Sequence, residues 1–382
     1  MIDLDRFATM DPLTHALAGA IAARSMRAPA AHHAEHAPLR LWHVVLVVTL
    51  SAVFPDIDAL FGFFSDIATL TDRRGVTHSL VLLPIWAMLL GWLFSRILKR
   101  PERIWHFVGL AAMGIGLHLF FDLINAFGVM LLAPFSWRRF DWGTTFIVDL
   151  TLTGTLLVGS VCAIVWQGKR AGRIIALTTA AVTAAYLLLQ VGAKQIATQH
   201  AVAYAKASGL DAASAAASAA ALPRQLSPFH WTLIVQTNEG FALAHVDLLR
   251  ITTPVASADD GFFTRIQNAF GPVSKATWHS YSRYGGDATT NLLARTDIVS
   301  LWHDPAFAFF RDFAAYPALI STSIENDRRC ANFEDLRFVA PARENHPFRY
   351  GICRLTNQRV VVYAITDEAQ LQPVNRTTRL LF

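Results

Sequence analysis

His118 and Asp122 stand four residues apart in Gly116-Leu117-His118-Leu119-Phe120-Phe121-Asp122, inside a nearly unbroken apolar run. On a helix, positions i and i+4 share one face, so both side chains can reach a single ion. A bare carboxylate in an apolar helix is costly unless it is paired or ligates a metal. The same oddity recurs upstream: His15 in Asp11-Pro12-Leu13-Thr14-His15, Asp56 and Asp58 in Phe54-Pro55-Asp56-Ile57-Asp58, and His78 in Arg73-Arg74-Gly75-Val76-Thr77-His78-Ser79. Three histidines and three aspartates at the edges of apolar segments predict a metal site assembled from several helices. Mixed nitrogen and oxygen ligands suit zinc, with manganese or iron as alternatives. Six ligands with three carboxylates could hold more than one ion, and a multi-metal site would turn a bound water into hydroxide and stabilise a phosphoryl transition state. Arg73 and Arg74, beside His78, could grip a phosphate, or could form a solvated charged loop. Arg138 and Arg139 carry the same two readings.

Composition says where such a site sits. The chain has 382 residues, 53% hydrophobic and 16% charged, and its mean hydropathy is +0.36. Soluble domains carry roughly 25% charged residues, so the deficit points to a membrane protein. The net charge is +5, but much of the excess lies in short clusters between apolar runs: Arg96, Lys99, Arg100 and Arg103, then Lys169, Arg170 and Arg173. That is the positive-inside pattern, and it requires no nucleic-acid partner. The N-terminus lacks the order of a cleaved signal peptide.

Five apolar segments are candidate membrane helices: Leu41 to Pro55, Leu80 to Phe94, Ile104 to about Leu123, Phe146 to Trp166, and Ile174 to Gly192. A full span takes about 20 residues, which the last two meet best. Pro12 to Ala23 reads as a shorter helix tucked into the bundle, with Asp11 as cap and Pro12 at the first helical position. With the basic clusters in the cytoplasm, all six candidate ligands fall on the outer face, although charge and not ligand geometry sets the orientation. Everything after Gly192 then lies outside as well.

The expected architecture is a mostly α membrane bundle of about five to six apolar helices followed by a smaller α+β extramembrane domain. The expected boundaries are 1–195 for the membrane domain, 196–223 for an Ala-rich helical connector, and 224–382 for the α+β domain. In the last, Trp231 to Gln236 and Phe241 to Leu249 flank the hairpin signature Thr237-Asn238-Glu239-Gly240. Ile352 to Leu355 and Val360 to Ile365 predict a second hairpin. Asp304 to Ala315 has helical periodicity. Cys330 and Cys353 could pair if this domain is outside the cytoplasm. A lone histidine in an apolar helix is more often structural than ligating, and His43 and His106 are read that way. His32, His33 and His36 are read as part of a flexible loop.

Taken in order, these motifs resemble the bacterial membrane-bound metal-dependent hydrolases, the YdjM-like proteins. The likeness runs through Met10 to Gly19, Phe54 to Asp58, Arg73 to Ser79 and His118 to Gly128, with Pro134-Phe135-Ser136 and Asp149 following. That family is similar in motif order to zinc-dependent phospholipase C and P1-type nucleases. The resemblance implies His15, Asp56, His78, His118 and Asp122 as zinc ligands and Asp58 as a bridging or supporting carboxylate. One or two ions are implied, because the later histidine-rich motif of those enzymes has no counterpart placed here.

The resulting expectation is a multi-pass protein of the bacterial inner membrane, with site and C-terminal domain on the periplasmic face. It would be a metal-dependent hydrolase acting on a phosphoester by a metal-activated water. A membrane lipid is the expected substrate class, Asp58, Arg73 and Arg74 are the catalytic candidates, and no nucleic acid is expected. The rivals are a non-catalytic membrane protein with a structural metal and an ion-binding transporter.

Overall fold

The structure is a computed structural model that describes residues 12–26, 39–63, 70–166, 169–255, 257, 260–285, 292–325, 328–341, 346–365 and 371–373. The expected Asp11 cap and the loop with His32, His33 and His36 lie outside the described residues. The chain divides into two compact units, the first mainly 72–192 with the preceding helices, the second mainly 193–380.

The first unit is helical. Its helices are α1 (Pro12–Ser25), α2 (Leu41–Val53), α3 (Leu83–Ile97), α4 (Ile104–Leu123) and α5 (Leu150–Val165). Helix α6 (Lys169–Ala207) begins in it and continues into the second unit. Pro12 occupies the first turn of α1, where its missing N–H costs nothing. Pro55 cannot extend the α-helical ladder of α2, and the chain tightens into a 3-10 helix over Phe54–Phe63. Asp149 caps α5 by accepting from Leu152 N at 2.9 Å, so that helix starts later than the apolar run beginning at Phe146.

Close packing of small residues holds α1, α2 and α4 together. A Cβ on Gly114 of α4 would lie 2.6 Å from the carbonyl oxygen of Val48. One on Gly19 of α1 would lie 3.0 Å from Ala52 Cβ. Helix α2 is therefore gripped from two sides along Val48 and Ala52, both fully buried. The core continues through Phe94 of α3 and Phe107, Ala111 and Ile115 of α4.

Among the described residues three helices are long and apolar enough to cross a membrane: Leu41–Ala59, Pro101–Leu123 and Arg170–Ala207. Leu83–Ile97 and Leu150–Val165 are apolar but shorter. Of the expected five to six apolar helices, three thus reach the length of a full span. Ile85, Leu89 and Trp92 of α3 and Val158, Val161 and Val165 of α5 nonetheless face outward. A lipid surrounding accounts for apolar side chains exposed in such numbers.

Helix α6 is about 58 Å long at 1.5 Å per residue, about twice the hydrocarbon thickness of a bilayer. In its second half Ala193, Ala197, Ala201 and Ala205 recur every four residues and pack against Trp231, Leu233, Val235 and Val246 in the second unit.

The second unit carries two five-stranded sheets. The first comprises β1 (Ala219–Pro223), β2 (His230–Gln236), β3 (Gly240–Asp247), β4 (Gly271–Pro272) and β5 (His279–Ser282). The second is antiparallel in the order β10-β9-β8-β7-β6, from β6 (Pro317–Glu325), β7 (Arg328–Asp335), β8 (Arg349–Arg354), β9 (Val360–Ile365) and β10 (Leu371–Pro373). Both expected hairpins are present, as β2–β3 and β8–β9. The Ala-rich segment is not helical throughout. After α6 ends, α7 (Ala212–Ser218) is followed by β1, which pairs along β2 from Ala219↔Val235 to Pro223↔Trp231. An available sheet edge overrides alanine's helix propensity there. Cys330 and Cys353 are register partners on β7 and β8 and form a disulfide. The remaining helices are α8 (Phe262–Asn268), α9 (Arg295–Trp302) and α10 (Ala308–Phe313), the last preceded by a 3-10 turn at Pro305–Phe307.

Candidate metal centre

Chain direction brings the six predicted residues to one end of the helical unit. His15 lies in the first turn of α1 and Asp56 and Asp58 just past the end of α2. His78 lies in the 3-10 turn Val76–His78 before α3, and His118 and Asp122 in the last turns of α4. The basic residues Arg96, Lys99, Arg100 and Arg103 occupy the connection between α3 and α4, at the opposite end. His43, near the start of α2, accepts from Arg40 N, and His106 is exposed in the first turn of α4. Neither joins the cluster.

The centre is built around two imidazoles. His118 Nδ1 is 2.7 Å from the carbonyl oxygen of Ala52, so it must carry a proton and donate. His78 Nδ1 is 3.1 Å from Asp58 Oδ2, which likewise makes it the donor. Both Nε2 atoms therefore turn inward, and they stand 2.9 Å apart. Asp122 Oδ2 lies 3.2 Å from His78 Nε2 and 3.5 Å from His118 Nε2. Asp56 Oδ1 lies 4.0 and 3.9 Å from the same two atoms. Ligands about 2.0 Å from a tetrahedral ion are separated by about 3.3 Å, and these four atoms straddle that spacing. Asp122 Oδ2 and Asp56 Oδ2 are buried without a hydrogen-bond partner. An orphaned buried carboxylate oxygen beside two inward imidazole nitrogens fits a cation. These His and Asp groups could hold a metal ion.

Asp58 supports the centre from behind. In a 3-10 helix residues two apart point in different directions. Asp56 thus faces the Nε2 side of the cluster while Asp58 faces His78 Nδ1. Asp58 Oδ2 also accepts from Arg74 N at 2.7 Å and from Thr77 Oγ1 at 3.1 Å. This is the carboxylate–histidine arrangement that fixes ring orientation and tautomer at metal sites. Burial by itself would lower the His78 pKa; the Asp58 and Asp122 carboxylates outweigh it and raise it to about 9. The pocket therefore demands positive charge between its carboxylates, from a proton or from a metal.

A second grouping, His15 with His118 and Asp122, shares His118 with the grouping of Asp56, His78 and His118. The His15 ring stacks on His118 with centroids 3.9 Å apart, and its Nε2 is 3.4 Å from Asp122 Oδ1. That same oxygen is held by Arg74 Nη2 at 2.8 Å, and Arg74 Nη1 donates to Asn125 Oδ1 at 2.9 Å. Arg74 is buried, has φ of 56°, and lies over the Phe127 ring. Both arms of its guanidinium are thus engaged inside the protein. Arg73 is also buried, and its charge interacts with Asp58, Asp56 and Asp122. Arg139 donates to the carbonyls of Gly128 and Arg73 and lies over the Phe127 ring, while Arg138 lies over Phe140.

A small cleft adjoins this cluster. His15, Arg74, Asp122 and Asn125 line it together with Thr14 and Asp149. Asp149 Oδ2 accepts from Tyr186 Oη at 2.6 Å, with Gln190 Nε2 at 3.4 Å. Sequence reasoning assigned no role to Asn125 or to Thr77. The i+3 spacing of Asn125 from Asp122 was the available signal for the first. Nothing in the sequence singles out Thr77, whose place depends on the fold of the turn.

Comparison with known proteins agrees with the helical unit. The chain is 28% identical over 97 residues to the uncharacterized protein YfhP of Bacillus subtilis (strain 168), covering 25% of this chain and 29% of that protein. The chain thus spans less than a third of that relative's length. No solved structure matches the chain. Residues 10–197, a stretch that holds every residue of the cluster, match the family model of the YdjM inner membrane protein.

Proposed function

We propose that this protein is a multi-pass inner-membrane hydrolase, dependent on a divalent metal and acting on a phosphoester, with a membrane lipid as the substrate class. One observation carries the reading. Two imidazole Nε2 atoms face each other beside the unpaired, buried Oδ2 of Asp122, next to a small cleft with room for a water. A purely structural zinc site has four protein ligands and no such access. Zinc suits the mixed nitrogen and oxygen donors, with manganese or iron as alternatives. When bound, the ion supplies a Lewis acid that polarises a phosphoryl oxygen and acidifies water.

The remaining steps belong to the protein. His78, His118, Asp56 and Asp122 hold the ion, with His15 at the cleft side. Asp58 orients His78. Arg74 pairs with Asp122 and aims it, and Arg73 places a second positive charge beside the carboxylates, where a phosphate would bind. The basic connection between α3 and α4 at the far end supports a periplasmic face for the site.

The test is metal content of detergent-purified protein, wild type against the double substitution His118→Ala with Asp122→Ala, followed by hydrolysis of a phosphodiester and a phospholipid. Stoichiometric metal and turnover in the wild type, both lost in the variant, support the reading. Well-folded wild type that takes up no metal after incubation with zinc or manganese overturns it. The complete burial of His78 and His118 favours a second reading, a structural metal without catalysis. Stoichiometric metal with no turnover on either substrate would select it.

A further inference from the structure

The second unit carries an apolar surface that its own core does not use. Between β3 and β4 the chain makes an excursion from Leu249 to Asn268. Leu249, Ile251 and Val255 are 65%, 85% and 89% exposed, and Phe262 and Phe263 on α8 are 55% and 65% exposed. Its described residues are tied down by hydrogen bonds. Arg250 Nη1 donates to the carbonyls of Gln267 and Phe270 at 3.1 and 3.0 Å. Asp260 Oδ2 accepts from Ser257 N and Asn268 Nδ2, each at 3.0 Å. Phe262 and Phe263 meet edge to face with ring centroids 5.6 Å apart. Five large apolar side chains are thus held outward by a clamped loop and the short helix it returns through.

Such a surface in water is a standing cost that grows with the apolar area left wet. Soluble proteins keep contiguous exposed apolar patches small unless something covers them. The covering surface here follows from covalent connection. Helix α6 holds an apolar span and begins in the stretch that matches an inner-membrane family, and the second unit begins one residue after Gly192 of that same helix. With α6 in a bilayer, the unit stays tethered to that membrane. Aromatic and branched side chains of this kind are those that enter the interfacial layer of a membrane.

We infer that the Leu249–Phe263 excursion docks the C-terminal unit on the lipid surface of the membrane that α6 enters. This goes beyond the hydrolase reading and does not depend on it.

The experiment uses the full chain in phospholipid nanodiscs. With Cys162→Ala as background, the Cys330–Cys353 disulfide leaves no free thiol. Ile251→Cys, Val255→Cys and, as reference, Asn357→Cys in the exposed β8–β9 turn are each labelled with a small fluorophore. Doxyl-labelled lipid is then incorporated as quencher. Docking predicts that labels at 251 and 255 lose most of their emission while the label at 357 loses little. Quenching at 251 and 255 no stronger than at 357 overturns the inference. So does cross-linking through these positions between two copies without lipid quenching, because a second copy would then be the covering surface. Removing metal leaves the expected quenching unchanged, so failure of the hydrolase reading and failure of this one are distinguishable.

Discussion

His78 and His118 present their Nε2 atoms to each other at 2.9 Å, and each has its Nδ1 tied to an oxygen behind it, Asp58 Oδ2 for one and the Ala52 carbonyl for the other. Two lone pairs at that distance repel unless a cation lies between them. The backbone carbonyl comes from α2, the carboxylate from the 3-10 turn after it, and the rings from two other elements. The relationship therefore reports on the packing of the whole helical unit, and perturbing either the support or the packing has a readable consequence.

Asp58→Asn removes the charge that orients His78 while keeping its shape. Loss of such supporting carboxylates weakens metal affinity about 10–100-fold. Chelator competition should show a loss in that range with helical content unchanged. Affinity equal to wild type would remove Asp58 from the support of the centre.

Gly114→Ala places a methyl group 2.6 Å from Val48 O and 2.7 Å from Ser51 Cβ, against the backbone of α2. Overpacking of this kind costs about 1–3 kcal/mol. Gly116→Ala, two residues on, meets nothing within 4 Å. It should be neutral or slightly stabilising, since alanine is the better helix former. Thermal unfolding of the two variants in detergent checks the contrast. A common shift in both would show that α2 and α4 do not depend on this contact.

Arg74→Met keeps side-chain length and removes the guanidinium from Asp122 and Asn125. Breaking a buried pair leaves an uncompensated charge and destabilises by about 3–5 kcal/mol. The expected result is a lower unfolding midpoint in metal-free protein, part of which a bound metal restores by neutralising Asp122. A midpoint that metal does not raise would place the ion elsewhere.

His245 in β3 gives the second unit an acid limb. Burial, with Arg224, His279 and His346 adding like charge, lowers its pKa from 6.5 to about 3. Thr232 Oγ1 accepts from Arg224 Nε, leaving its own proton for His245 Nδ1, which must then be neutral. The folded value lies below the unfolded one. The contribution is therefore complete above about pH 6.5 and is lost as pH falls from there toward 3. The slope is at most about 1.4 kcal/mol for each pH unit. His245→Asn should flatten the acid limb of the second unit's stability profile relative to wild type. Parallel profiles would mean that carboxylates set it.

Much of the helical unit was legible in the sequence because a bilayer imposes a simple rule. Long apolar runs must be helices, and the few ionisable residues within them must be matched. That rule identified the apolar segments and isolated His118 and Asp122, and chain direction alone carried all six residues to one end. The β2–β3 and β8–β9 hairpins followed from alternating patterns and turn residues. What periodicity could not supply was distance. That Asp56 and Asp58 face opposite sides of His78 follows from the 3-10 turn forced by Pro55. That both arms of Arg74 are engaged inside the protein follows from a backbone at positive φ beside Asn125. The reach of α6 to Ala207 was hidden because alanine is apolar enough to resemble a connector, and only the sheet it packs against gives its stripe a partner. The pairing of β1 had no local signal, since Ala219 to Ala221 favour helix until β2 offers an edge. Local composition determined which residues were out of place in an apolar helix. Tertiary packing decided which atoms of those residues meet, because that depends on where other helices cross.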